Sequence, residues 1–305
     1  MTKLAQAKLN LYTFQFKAMG TICDLQCYVS SAATGQAISQ LVYADVSRLE
    51  NRYSRYLTDS YLAHINRAAA VGGEIEVDAE TAGLLDYAAT CYAQSDGLFD
   101  ITSGVLRRAW RFDTGKLPAQ SVIDNLLKTV GWQKLHWQAP LLSFPLPGLE
   151  IDLGGVVKEY AADRAAVICQ EAGVGHGFVN LGGDIRIIGP HPDGRPWIIG
   201  IQHPRDKHLV LQNLELYRGG MASSGDYERC MIIDGVRYGH IINPKTGWPV
   251  KHLASVSVVG DFCLIAGSAT TIAMLKEQQG PAWLAELGLP YVCMDAAGNI
   301  CQHPA

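Results

Sequence analysis

The chain has 305 residues, 48% of them hydrophobic and 18% charged, with a formal net charge of −4. That balance supports a large buried core and excludes a disordered chain. With no Lys/Arg-rich stripe, it also sets nucleic-acid binding aside. The opening Met1–Lys17 carries Lys3, Lys8 and Lys17 and reads neither as a signal peptide nor as a lipid-attachment site. Phe262–Leu275, the longest uncharged apolar stretch, is too short to span a bilayer. The expectation is a cytoplasmic protein with no membrane insertion. The eight cysteines include no CxxC pair and sit mostly among apolar neighbours, as Cys169 and Cys263 do. This predicts buried free thiols in a reducing compartment rather than a zinc or redox site.

In chain order, Thr21–Val29 alternates, with Ile22, Asp24, Gln26 and Tyr28 on one face and Thr21, Cys23, Leu25, Cys27 and Val29 on the other, and reads as a strand. Ile38, Leu41, Val42, Val46 and Leu49 have helical spacing, which predicts an amphipathic helix over 33–51. Asp78 is a natural N-cap for a helix over 79–94, and Gly97 helps to end it. The Pro- and Trp-rich stretch 111–150 reads as an excursion within one large domain spanning 1–305, with two intimate lobes as an option. Lys158–Glu171 reads as a helix stopped near Gly173. Trp197–Ile201, Cys230–Ile233 and Ala254–Val259 read as strands, and 264–278 as a further helix. Helices and strands mix without regular alternation, so the fold class is α+β with largely antiparallel sheets.

Five segments stand out chemically. Two Gly-Gly turns follow apolar, strand-like runs, Ile151-Asp-Leu-Gly-Gly155 and Val179-Asn-Leu-Gly-Gly-Asp184, and form a short internal echo. The first leads straight into the helix near Lys158, where backbone N–H groups and the helix dipole suit a pyrophosphate. Neither has the spacing of a dinucleotide fingerprint or a P-loop, and tight turns needing positive φ are the competing reading. Ala222-Ser-Ser-Gly-Asp-Tyr-Glu228 offers hydroxyls and backbone donors suited to phosphate or ribose, or is a plain turn. His240-Ile-Ile-Asn-Pro-Lys-Thr-Gly-Trp-Pro249 places a histidine before a sharp loop. In Asp96-Gly-Leu-Phe-Asp-Ile-Thr102, Asp100 is placed either to hold a ribose or ring edge or to stop a helix.

Taken together, these segments resemble the ApbE family, the FAD:protein FMN transferases, over nearly the whole chain and in the family's order. The stretches that carry the resemblance are Met19-Gly-Thr21, Ser54-Arg-Tyr56 with Ser60 and Asn66, Ser95–Thr102, Ile151–Gly155 with Lys158, Asn180–Asp184, Ser223–Tyr227 and His240–Gly247. The resemblance implies an enzyme that moves FMN from FAD to a Thr or Ser hydroxyl of a target protein, assisted by Mg2+, with release of AMP. It implies that Met19, Tyr56, Leu98, Phe99, Asp100, Asp152, Lys158 and Ile241 line the FAD. His240 corresponds to the catalytic histidine, and the Gly155 carbonyl and Thr271 hydroxyl correspond to metal ligands. One departure matters. The family's Ala-Asp-Ala before that threonine reads Ala266-Gly267-Ser268 here, so the ligand carboxylate is gone. Weak metal binding follows, with Asp184 or Asp226 as replacement acids, and Gly267→Asp is expected to tighten it. Two other outcomes are compatible with such a site: hydrolysis of FAD to FMN and AMP, and a silent FAD-binding protein.

Overall fold

The computed structural model describes residues 8–304. Met1–Ala7, part of the opening stretch read for a leader, lie outside the described residues. The chain begins with a hairpin, β1 (Asn10–Ala18) and β2 (Thr21–Val29), and continues through α1 (Ala32–Tyr53), α2 (Tyr61–Val71), β3 (Glu74–Glu76) and α3 (Ala79–Gln94). After a 3-10 turn at Ile101–Arg108 come α4 (Gln120–Leu127), β4 (His136–Gln138) and β5 (Leu141–Ser143). Then follow α5 (Val157–Glu171), β6 (Gly177–Leu181), β7 (Asp184–Gly189), β8 (Trp197–His203), β9 (Asp206–Leu216), β10 (Gly220–Gly225), β11 (Cys230–Ile233), β12 (Val236–Gly239) and β13 (Leu253–Gly260). The chain closes with α6 (Cys263–Lys276), α7 (Gly280–Glu286), β14 (Tyr291–Asp295) and β15 (Ile300–His303).

Eight strands form one sheet in the order β1-β2-β6-β7-β10-β13-β14-β15, and every pairing in it is antiparallel. The alternation in β2 decides its layers: Cys23, Leu25 and Cys27 are buried under the helices, and Tyr28 faces the other side. On the helical side, Ile38, Val42 and Leu49 of α1 pack with Ala161, Ala162 and Ala165 of α5 and Ala266, Ala269 and Ala273 of α6. The alanines remove side-chain bulk where these helices meet, so the helices come close enough to form one layer over this face of the sheet. On the opposite side the β8–β9 hairpin lays Trp197, Ile199, Ile201 and Leu216 over Phe178, Ile185 and Ile187. The fold is therefore α+β and antiparallel, as the sequence implies.

The stretch 111–150 folds as α4, β4 and β5, the two strands joining β3 in the small sheet β3-β5-β4, and it sends Leu142, Phe144 and Leu149 into the main core. The strand-like reading of Ile151–Leu153 is corrected, because these residues pair with no strand. Their backbone groups go to a side chain and a loop instead. Asn66 Oδ1 accepts from Ile151 N at 2.8 Å, Asn66 Nδ2 donates to Ile151 O at 2.9 Å, and Asp152 N donates to Ile101 O at 2.8 Å. The echo between the two Gly-Gly turns is thus one of sequence only. Gly182 and Gly183 have φ of 65° and 97° in the β6–β7 turn, the left-handed region that suits glycine. Gly154 and Gly155 are not left-handed. They turn the chain into α5 beneath the Phe99 ring, which a Cβ on Gly155 would meet at 3.4 Å.

Candidate functional site

The candidate residues gather where the β1–β2 turn, the β6–β7 turn and the end of β10 meet the start of α5 and the loops after α1 and β12. The two hairpin turns are neighbours, since Cys23 pairs with Leu181 and a Cβ on Gly182 would crowd Thr21 Cβ at 2.9 Å. Met19 closes the first turn with a φ of 51°, unusual for a side chain with a Cβ, beside Gly20 at 74°. Such a backbone persists only when its surroundings fix it, and it marks Met19 as a placed residue.

Helix α5 opens at Val156, which offers no side-chain acceptor to the first turn; Val157 N donates to Leu153 O at 3.0 Å instead. Lys158, in that first turn, brings Nζ to 2.9 Å from Asp184 Oδ2 at the start of β7. The contact is close, but off the hydrogen-bond direction, and Asp184 Oδ2 remains buried with no hydrogen-bond partner. Glu159 Oε2 is in the same state. Glu159 is 8% exposed and Asp184 2%. Burial pushes both carboxyls up, and the charge of Asp184 adds to the rise at Glu159. Burial alone would lower Lys158, but the Asp184 and Glu159 carboxylates outweigh it and hold the ammonium charged.

A second cation, Arg55, pairs with Asp152, whose Oδ1 also accepts from Gly154 N at 2.9 Å. Arg55 donates to Tyr56 Oη at 3.1 Å, and Arg229 donates to the same oxygen at 3.3 Å. Burial opposes it, yet these two guanidiniums draw the Tyr56 hydroxyl below its ordinary value. The Tyr56 ring is 70% exposed and free to meet a ligand. His240 follows β12. Its neighbour Gly239 is pressed on Asp226, so that a Cβ there would lie 3.0 Å from Asp226 Cα. The His240 side chain reaches solvent, but the surrounding protein and the charges of Arg229, Lys158 and Arg55 depress its ionisation. The loop beyond is tied to itself: Asn243 Oδ1 accepts from Lys245 N at 2.9 Å, and Gly247 O accepts from Trp110 Nε1 at 2.7 Å. Ile241 is buried beside it, with its carbonyl taken by Val250 N at 3.0 Å.

Several residues singled out in the sequence have structural employment. Asp100 is buried and caps the 3-10 turn. Its Oδ1 accepts from Thr102 N at 2.8 Å and Thr102 Oγ1 at 2.6 Å, and its Oδ2 accepts from Trp132 N at 3.0 Å. Phe99 lies in the core and Leu98 packs half-buried against it. The two serine hydroxyls of Ser223–Tyr227 are engaged as well. Ser223 Oγ meets Ser257 Oγ at 2.7 Å, while Ser224 Oγ lies 2.8 Å from Thr270 Oγ1 and 3.3 Å from Thr271 Oγ1. Asp226 is held by both nitrogens of the Arg205 fork, one at 2.8 Å. That removes it as a replacement acid. Gly155 is exposed at the mouth of the turn before α5. Among the described residues no group of three or more His, Cys, Asp and Glu is arranged to hold a metal ion, so any cation here would use mixed oxygen donors. Sequence reasoning missed Arg55, Arg229 and Glu159. Arg55 stood inside a noticed motif, whereas the other two become visible only through contacts distant in sequence. A separate depression of about 240 Å3 lies on the far side of Asp100, among Tyr92, Gly131 and Lys245. None of the other predicted cofactor residues lines it.

Fold and site together define an α+β protein with an eight-stranded antiparallel sheet, whose helix ends and turns gather cations and carboxylates around one histidine. The family model described as "ApbE family" matches residues 19–293, and the chain belongs to the ApbE family. It is 31% identical over 275 residues to the FAD:protein FMN transferase of Vibrio cholerae, covering 87% of this chain and 81% of that one. It is 29% identical over 289 residues to the protein of the same name from Haemophilus influenzae, covering 90% and 83%. The crystal structure of the ApbE protein of Thermotoga maritima superposes with a TM-score of 0.88 at 30% identity, over 96% of this chain and 97% of that one.

Proposed function

We propose that this chain transfers the FMN part of FAD to a Thr or Ser hydroxyl of an acceptor protein and releases AMP. The observation that carries the reading is the cluster of cations. Lys158, Arg55 and Arg229 stand around His240 at an uncapped helix start, in a chain whose relatives bear the name FAD:protein FMN transferase. A pyrophosphate suits that cluster, since guanidinium and ammonium groups at a helix start favour phosphate oxygens. The exposed Tyr56 ring offers a stacking face for a flavin or adenine. Met19, Leu98, Phe99 and Ile241 supply apolar lining. Asp100 and Asp152 act by holding the loops that carry them, because their oxygens already accept protein donors.

In the reaction, the acceptor oxygen attacks the phosphorus on the FMN side. One P–O bond forms, the P–O bond to the bridging oxygen breaks, and AMP leaves with the electron pair. The proton of the acceptor hydroxyl passes to His240, whose depressed ionisation keeps it neutral and able to accept near neutral pH. Of the two buried carboxylate oxygens without hydrogen-bond partners, Asp184 Oδ2 faces the Lys158 ammonium, and Glu159 Oε2 is the one that fits a hard cation nearby. The Gly155 carbonyl and Thr271 hydroxyl would serve as neutral ligands, and a bound Mg2+ would neutralise phosphate charge and favour departure of AMP. All eight cysteines are free and six are buried, which supports a reducing, cytoplasmic setting. No helix among the described residues is long and apolar enough to cross a membrane.

The test is to incubate the protein with FAD and Mg2+, with and without a Thr-bearing acceptor protein, and to follow AMP by chromatography. The reading expects AMP to appear only with the acceptor. AMP released at the same rate without acceptor would mean hydrolysis, and no AMP in either case would mean a silent flavin-binding protein.

A further inference from the structure

The missing carboxylate at position 267 has a counterpart across the helix contact. Gly267 lies buried on α6, and the space over its Cα is filled by Glu159 of α5. A Cβ at 267 would lie 2.8 Å from Glu159 Oε1 and 2.9 Å from its Cδ, distances no real Cβ tolerates. The expectation that Gly267→Asp would simply restore the site is therefore corrected: that volume already holds a carboxyl group. Thr271 stands one turn further along α6 on the same face. The Glu159 carboxyl thus arrives where an acid projecting from position 267 would have been.

We propose that Glu159 is the carboxylate ligand of the divalent-cation site, delivered from α5 into the space that Gly267 leaves open on α6. This rests on the cation reading given above and names its acid. Three observations support it. Glu159 Oε2 is buried with no hydrogen-bond partner, a costly state for a carboxyl group unless something else occupies that oxygen. The adjoining cation, Lys158, makes its ion pair with Asp184. The other acid considered, Asp226, is held by Arg205. Glu159 and Gly267 thus behave as steric complements: bulk and charge on α5, a bare Cα on α6.

Mn2+ serves as the probe, titrated into the full chain with and without FAD and followed by the paramagnetic signal of the free ion. Glu159→Gln keeps the shape and removes the charge. It should weaken Mn2+ binding by about tenfold or more, while FAD affinity in metal-free buffer stays within about twofold and the melting temperature does not fall. The double variant E159G/G267D returns the acid to α6 and vacates its present space. It should recover Mn2+ affinity, whereas G267D alone should lose stability without gaining affinity. If E159Q binds Mn2+ like the wild type while Thr271→Ala loses it, the cation site stands and Glu159 is only a space-filling neutral acid. If the wild type binds no Mn2+ even with FAD, the cation reading fails and this assignment falls with it.

Discussion

Lys158→Met is the most informative single perturbation of the cation cluster. Lys158 Nζ sits 2.9 Å from Asp184 Oδ2, and the Asp184 side chain is 3% exposed against 33% for Lys158. Removing the ammonium leaves a buried carboxylate without its countercharge, which typically costs about 3–5 kcal/mol. A third of the lysine side chain reaches solvent, so the lower end, about 3 kcal/mol, applies here. At roughly 2 °C per kcal/mol for a domain of this size, the melting temperature should fall by about 6 °C. The deficit should depend on pH. Burial already raises Asp184 above its ordinary value, and loss of Lys158 raises it further. Stability in the variant is therefore fully present below the unfolded value, near 3.8, and is lost as pH rises through the folded one. The double variant K158M/D184N removes the orphaned charge and should recover most of the melting temperature. It should not recover FAD binding, because a charge-assisted contact to phosphate worth about 1.5–3 kcal/mol, roughly ten- to a hundredfold in Kd, is still missing. Scanning calorimetry and fluorescence titration with FAD read the two effects separately. An unchanged melting temperature in K158M, or full FAD affinity in the double variant, would refute the reasoning.

Other residues give sharper, narrower tests. His240→Ala should slow single-turnover AMP release by about 10²–10⁴-fold and leave FAD affinity nearly unchanged; a matched loss of affinity would make it a binding residue. Because the folded-state ionisation of His240 lies below its ordinary 6.5, the acid limb of the wild-type rate profile should fall below that value. The linked stability is present above 6.5 and lost as pH falls from there through the folded value, a slope that His240→Gln should flatten in melting curves. Tyr56→Ala, at a residue 70% exposed, should leave the melting temperature unchanged and weaken FAD binding by about 1 kcal/mol, as isothermal titration would show. Asn66→Ala breaks both bonds to the Ile151 backbone. It should cost about 1–3 kcal/mol in denaturant unfolding and weaken FAD binding as well, since Asp152 follows directly.

Much of the scaffold was legible because local signals agreed with burial. Thr21–Val29 and Cys230–Ile233 form strands at the residues that their patterns mark, and Asp78 caps α3, accepting from Thr81 N at 3.0 Å. Two elements carried signals that went unread. In β1 the alternation of Tyr12, Phe14 and Phe16 was present in a stretch considered only as a leader. In α2 Ser60 caps the start and Gly72, at φ 75°, ends it. Ile151–Leu153 misled because an apolar run looks alike whether its backbone bonds go to a strand or to a distant Asn66 side chain. The site was half legible. Motifs mark the turns and His240, but not what each side chain is spent on. Asp100 and Ser224 looked like ligand groups and serve the protein's own hydroxyls and amides. Glu159, in the first turn of α5, carries no local signal of its own. Its meaning depends on a glycine on the neighbouring helix α6, distant in sequence, a relation that no local pattern encodes.

The central claim is transfer, and it is tested most directly by intact-mass spectrometry of a Thr-bearing acceptor protein after incubation with this enzyme, FAD and Mg2+, with AMP counted in the same tube. The account predicts one FMN joined through phosphate to the acceptor hydroxyl for each AMP released, and neither product with His240→Ala at short times. AMP accumulating beside an unmodified acceptor, or FAD bound and recovered intact, would contradict it.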